Sequence, residues 1–143
     1  MVPLMRYTSV NGIPILDMVK LGFISHVKLD GIVERTRNGG GEIVKLLQNS
    51  SAFDAPATCA IEMAESFLYN KKKLLPCSAF LNGEYGIKGL YVGVPVIIGK
   101  KVVEKIIELK LNNNEKKEFN HSVKAVKSLT TLSNKLLNKK NKK

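Results

Sequence analysis

The feature that most constrains this chain is a pair of apolar runs on either side of a turn. Residues 74–81 (LLPCSAFL) and 90–98 (LYVGVPVII) flank Asn82-Gly83-Glu84-Tyr85-Gly86. Runs of this length, rich in Leu, Val and Ile and bounded by turn-forming residues, read as strands. Strands joined by so short a connection pair antiparallel. The centre of the chain is therefore a hairpin, and the segments around it read mostly as helices.

The helical signals differ in kind. Leu29, Ile32 and Val33 have helical spacing, and so do Ile43, Val44 and Leu47. Gly39-Gly40-Gly41 lies between them. Three glycines cost a helix about 3 kcal/mol relative to alanine, which predicts a break or a close-packed bend. Residues 50–56 are polar or small and read as a loop, with Pro56 near the first position of the next helix. That helix should run to about Asn70. Ala60, Ile61, Ala64, Phe67 and Leu68 form one apolar stripe on it, and Lys71, Lys72 and Lys73 sit at its negative end.

The two ends of the chain are simpler. Residues 2–10 and 13–15 flank Asn11-Gly12, the pair that supplies two positive φ values for a type I′ hairpin. Pro3 and Pro14 place those strands at an edge. Residues 101–111 are ambiguous between helix and strand. The alternation of Ile107, Leu109 and Leu111 favours a strand from Ile106 onward. Asn112-Asn113-Asn114 breaks the chain, and Asn114 is the expected cap of a final helix with Glu115 in its first turn. Phe119, Val123, Val126, Leu129, Leu132 and Leu136 give that helix its apolar face. The sum is one α+β domain over residues 1–137, with antiparallel strands flanked by helices. Residues 138–143 (NKKNKK) are expected to be a frayed basic tail.

Composition narrows the function classes. A chain of 143 residues with 44% hydrophobic content has enough material for one core. No apolar run approaches the ~20 residues needed to cross a bilayer, and residues 1–9 lack the apolar centre of a signal peptide. A cytoplasmic protein with no membrane partner is the expectation. The formal charge is +11, and the stretch from Asn112 onward holds nine lysines against two glutamates. Such a tail can attract nucleic acid or acidic membranes. It lacks arginine and the interleaved aromatic groups that nucleic-acid sites use, so no nucleic-acid partner is expected.

The candidates for chemistry are few. Gly39-Gly40-Gly41 before EIVKLL invites a phosphate-loop reading. The spacing is not G-x-G-x-x-G, a helical pattern precedes it, and no G-K-[ST] follows. Helix packing or bending is the better reading. His26, in a polar turn before Lys28, and His121, on a helix face turned to water, each read better as surface groups than as general bases. Glu62 and Glu65 are three apart on one helix and are a possible acid/base pair. They read better as solvent-facing charge. Cys59 and Cys77 form no C-x-x-C pair and no metal-ligand spacing with either histidine. Reduced, partly buried thiols are expected, and no metal site.

Taken together, several motifs are more specific than any one of them. MVPLMRY, NGIPI, IVERTRNGGGEIVKLL, SAF-APA, AIEMAES, LNGEYG, GLYVGVPVIIG and VEKIIEL make the chain resemble the C-terminal domain of lactate/malate dehydrogenases. The likeness is to the bacterial malate dehydrogenases that look like lactate dehydrogenases, and it runs from Met1 to about Lys127. The resemblance implies NAD-dependent hydride transfer to and from a small 2-hydroxy or 2-oxo acid. In that family an N-terminal Rossmann domain binds NAD, a histidine paired with an aspartate moves the proton, and arginines hold the substrate carboxylate. A histidine–glycine–aspartate element lies just before the stretch matching Met1 to Leu4. The resemblance thus implies that this chain starts immediately after the catalytic histidine and that the dinucleotide fingerprint lies upstream.

Accordingly no catalytic residue is assigned, and NAD is not expected to bind this chain alone. Ser51, Ala52 and Pro56 match the wall of the substrate and nicotinamide pocket. Asp54 stands where the family usually has an aromatic residue, so it is either exposed or a mark of a decaying site. Cys59 replaces a residue that is usually small. The implied function is the C-terminal half of a malate dehydrogenase, converting malate and NAD to oxaloacetate and NADH, inactive as this chain alone. The alternative is a non-enzymatic remnant or interaction module. Its partners would be a separate Rossmann-half chain or a second copy of itself. The loop that separates malate from lactate lies outside the matched stretch.

Overall fold

The computed structural model describes residues 1–140. They form two compact units, Met1–Pro56 and Ala57–Lys143.

In the first unit, β1 (Ser9–Val10) and β2 (Ile13–Pro14) pair antiparallel around Asn11 and Gly12. Both turn residues have positive φ, 49° and 84°, as a type I′ turn requires. The strands are shorter than the sequence suggests. Met5–Tyr7 forms a 3₁₀ turn, and the Thr8 hydroxyl donates to the Leu4 carbonyl at 3.0 Å, removing an acceptor a longer strand would need. Helix α1 (Ile15–Lys20) follows directly and buries Ile15. It ends at Gly22, where the Phe23 amide reaches back to the Met18 carbonyl in a Schellman closure.

Helix α2 (His26–Leu47) corrects two expectations. His26 is its first residue and not part of a turn, because the Ser25 side chain caps the helix by accepting from the Lys28 amide at 3.2 Å. The glycine triplet does not break it. A Cβ placed on Gly39, Gly40 or Gly41 would meet nothing within 4 Å, so no close packing within this chain explains them. Side chains on either side brace the helix instead. Asn38 donates to the Glu34 carbonyl and carboxylate, and Arg35 binds Glu42.

Helix α3 (Asp54–Leu68) leads into a three-stranded antiparallel sheet ordered β3-β4-β5. Strands β3 (Lys73–Asn82) and β4 (Lys88–Gly99) match the sequence expectation closely. Their packed face pairs Leu75 with Val96, Cys77 with Val94 and Ala79 with Val92. Pro76 faces Pro95, so both missing donors fall at one pair that needs no ladder bond. Met63 of α3 packs on this core, as do Phe119 and Val123 of the last helix.

Strand β5 (Val102–Ile106) lies earlier than expected. The link Lys100-Lys101 folds the chain back at once, with Gly99 opposite Val102 and Ile98 opposite Val103. Register with β4 thus outweighs the alternation at 107–111, which has no regular structure. Helix α4 (Asn113–Lys140) is capped by Asn112, not Asn114. The Glu115 amide donates to Asn112 Oδ1 at 2.9 Å, and Glu115 Oε2 accepts from the Asn112 amide at 2.7 Å. This reciprocal pair is a capping box. Of the expected frayed tail, residues 141–143 lie outside the described residues, and α4 includes residues 138–140.

The apolar stripe of α3 is not the face that packs on the sheet. The face over the sheet carries Met63 and Ser66, and Ser66 is 0% exposed. Ile61 and Leu68 are 61% and 70% exposed. The Ser66 hydroxyl decides the orientation: it donates to the Ile98 carbonyl at 2.7 Å and accepts from the Lys73 amide at 3.2 Å.

Candidate functional site

The segment between α2 and α3, with the first turn of α3, carries the residues that the resemblance assigns to a pocket wall. Gln48, with φ 56°, ends α2. The chain then turns tightly, the Asn49 amide donating to Leu47 and the Phe53 amide to Ser51 at 2.9 Å. Bonds two residues back are γ-turns, common where a loop starts. Ser51 is exposed and Ala52 half-buried within this turn. Pro56 is exposed in the first turn of α3. Its missing N–H is harmless there, because the first four amides of a helix have no partner within it. The turn thus brings Ser51 and Ala52 together, and Pro56 follows one element later.

Asp54 opens α3 and is exposed. Of the two alternatives for this residue, exposure is what the structure shows. A carboxylate in the first turn favours the positive end of the helix, and the cost of burying it does not arise. Phe53 beside it is 59% exposed.

The remaining chemical candidates resolve as structural groups. Glu62 accepts from Lys73 Nζ at 2.8 Å and Glu65 from Lys71 Nζ at 2.6 Å. The Lys71 hydrogen bond holds the Glu65 carboxyl below its ordinary range, and the Glu62 bond raises the Lys73 ammonium. Each carboxylate has its own lysine, so the two do not form an acid/base pair. His121 is exposed on α4. Among the described residues, no group of three or more His, Cys, Asp or Glu is placed to hold a metal, and no helix is long and apolar enough to cross a membrane. Cys59 is exposed, unlike the partly buried thiol expected; Cys77 is half-buried.

The glycine triplet offers NAD no pyrophosphate cradle. Gly39, Gly40 and Gly41 lie inside α2, where each amide is committed to the carbonyl four residues back. The triplet therefore does not fit the dinucleotide phosphates. A groove of 510 Å³ runs along α2 between Ile32, Arg35, Gly39, Glu42, Ile43 and Leu46. Another, of 220 Å³, lies between Tyr85, Leu109, Leu111 and Phe119. Neither includes Ser51, Ala52 or Pro56. The Arg35–Glu42 pair was missed from sequence, because a seven-residue spacing matches no standard helical pair. The capping box was legible in Asn112-x-x-Glu115, but the asparagine run offered three candidate caps.

Comparison with known proteins gives this geometry its context. A family model described as lactate/malate dehydrogenase, alpha/beta C-terminal domain, matches residues 1–136. The malate dehydrogenase of Roseobacter denitrificans is 57% identical over 129 residues, which cover 90% of this chain and 40% of that protein. The crystal structure of Cryptosporidium parvum malate dehydrogenase superposes with a TM-score of 0.89 at 41% identity, covering 92% of this chain and 42% of that one. Lactate dehydrogenase from Eimeria maxima, solved with NADH and oxamate, gives 0.90 at 46% identity, covering 94% and 42%. The chain spans about two fifths of the length of these relatives. It belongs to the lactate/malate dehydrogenase family and has the fold of that family's alpha/beta C-terminal domain.

Proposed function

We propose that this chain is the substrate-side half of an NAD-dependent malate dehydrogenase, and that the polypeptide of 143 residues neither binds NAD nor turns over by itself. The observation that carries the reading is 57% identity to a malate dehydrogenase across 90% of the chain. The glycine triplet locked inside α2 supports the second part. Hydride and proton transfer depend on reacting groups held in register, and a dinucleotide-binding half would have to supply them. In the assembled enzyme Ser51, Ala52 and Pro56 form one wall of the substrate and nicotinamide pocket.

The test is NADH oxidation with oxaloacetate and with pyruvate, by the purified chain alone and mixed with a separately produced dinucleotide-binding half of a relative. We expect no rate alone and a heat-labile rate in the mixture, faster with oxaloacetate. A heat-labile rate from the chain alone overturns the inactivity. In an active mixture, Ala52→Leu should raise KM for oxaloacetate, and an unchanged KM would remove Ala52 from the wall.

A second reading, an interaction module without catalysis, is favoured by apolar side chains at the surface. Ile61 and Leu68 on α3 and Leu129, Leu132, Leu136 and Leu137 on α4 are all more than half exposed. Such patches mark contact surfaces. Light scattering separates the possibilities: a dimer of this chain supports the module, and a monodisperse monomer that captures no dinucleotide-binding half counts against it.

A further inference from the structure

Three sulfur-bearing side chains lie near one another on α3 and β3, and the dehydrogenase reading uses none of them. Cys77 lies on the packed face of β3, opposite Val94. Its Sγ is 3.4 Å from Sδ of Met63 on α3. Cys59 precedes Met63 by four residues on the same helix, which stacks the two side chains on one face. Cys59 and Cys77 are also close enough to interact: the Cys77 thiol is raised first by burial and then by Cys59. Both cysteines are free, Cys77 half-buried and Cys59 exposed, so the cluster opens to solvent at the Cys59 end.

Two thiols and a thioether are a soft donor set. Soft sulfur ligands select monovalent copper, whereas hard cations seek oxygen. Three sulfurs around one metal at about 2.3 Å each stand about 4 Å apart, near the Met63–Cys77 separation. A sulfur trio also lacks the fourth ligand that a closed zinc site requires.

We propose that Cys59, Met63 and Cys77 form a trigonal site for a soft monovalent metal ion, Cu(I). Binding forms two copper–thiolate bonds and one copper–thioether bond, releases the two thiol protons to solvent, and leaves copper as Cu(I). No oxidant or reductant takes part.

The experiment uses the full chain, reduced and free of oxygen, titrated with Cu(I) as its bicinchoninate complex. We expect the protein to withdraw one equivalent of copper, with a thiolate-to-copper band appearing in the near ultraviolet. Cys59→Ser lies at an exposed position; it should leave the fold intact by circular dichroism, yet abolish retention at the same chelator concentration. Met63→Leu conserves volume and should weaken binding by on the order of tenfold. Wild-type retention no greater than that of Cys59→Ser overturns the site. Equal affinity in Met63→Leu overturns its trigonal form.

Discussion

Arg35 grips Glu42 across the three glycines of α2, its Nε and Nη2 donating to Oε2 and Oε1 at 3.0 and 2.8 Å. Seven residues of helix separate them by about 10 Å along the axis, and the long arginine side chain covers that span. The pair braces the part of the helix with the least intrinsic preference for being one. Both groups lie at the surface, so salt and competing water weaken the pair, and its value is in locating the helix more than in raw energy.

The first prediction concerns acid. The Arg35 hydrogen bond, with its charge, holds the Glu42 carboxyl below its ordinary range. A carboxyl lowered in the fold adds stability above its unfolded pKa and loses it as pH falls through the folded value. The window therefore opens below about pH 4.3, the unperturbed glutamate value. Arg35 is raised and stays charged throughout, so it adds nothing to the slope. Helicity at 222 nm should fall in this window, and Glu42→Gln should make the fall shallower. Coincident curves for the two proteins would remove the pair from the account. Glu65 and Glu84, also lowered, contribute acid loss of their own in the second unit.

Gly40→Ala should stabilise the chain. The position is helical, its φ is not positive, and an added Cβ meets nothing within 4 Å. Alanine gains up to about 1 kcal/mol there from lower unfolded-state freedom and better helix propensity. A urea midpoint shifted upward with unchanged slope is the expected readout. If the midpoint falls, the glycine is held by packing that this chain makes in solution. The same variant offered to a dinucleotide-binding half asks a separate question, whether the triplet reserves room for a neighbouring backbone.

Ser66→Ala should be costly for so small a change. The hydroxyl is fully buried and joins two partners, the Ile98 carbonyl and the Lys73 amide. Ile98 also borders the register shift of the β4–β5 ladder between Ile97 and Ile98. Removing the hydroxyl leaves both backbone groups without that partner, a loss of about 1–3 kcal/mol. Chemical denaturation measures it directly. A change within error would mean that water replaces the hydroxyl.

Ser66 also shows where sequence reading succeeds and fails here. The β3–β4 hairpin was legible because Val92, Val94, Val96 and Ile98 bury one face at the period of a strand. The Asn11-Gly12 turn was legible because few residue pairs accept two positive φ values. The buried place of Ser66 on α3 was not legible, because apolar periodicity has no means of ranking one serine with two backbone partners above Ile61, Phe67 and Leu68. β5 was misplaced because pairing with β4 is non-local, and past the Ile107 amide's bond to the Pro95 carbonyl of β4 the alternation at 107–111 continues no ladder. The proposal of a pocket wall at Ser51, Ala52 and Pro56 rests on family resemblance alone, since a short turn of small residues carries no chemical signature.

Tyr85→Phe should loosen the approach to α4. Tyr85 has φ 53°, a left-handed conformation uncommon for a residue with a large side chain, and its surroundings explain why it is held there. Its hydroxyl donates to the Ile107 carbonyl at 2.7 Å and accepts from the Leu109 amide at 3.0 Å. Its ring lies 5.1 Å from that of Phe119, and its amide donates to the Glu108 carboxylate. Residues 107–112 have no regular pairing, so these bonds help fasten them to the β3–β4 turn. Phenylalanine keeps the ring contact and removes both hydroxyl bonds, at a cost of about 1–2 kcal/mol. If the loss is local, the Leu109 amide exchanges with solvent on the order of tenfold faster while the amides of β3 and β4 keep their protection. If Tyr85 instead holds the whole second unit together, all these amides accelerate equally and the thermal midpoint drops with them. The hydroxyl's bonds to Ile107 and Leu109 both lie in the 107–109 segment, and the ring that packs on α4 remains in the variant, so the local outcome is the one expected.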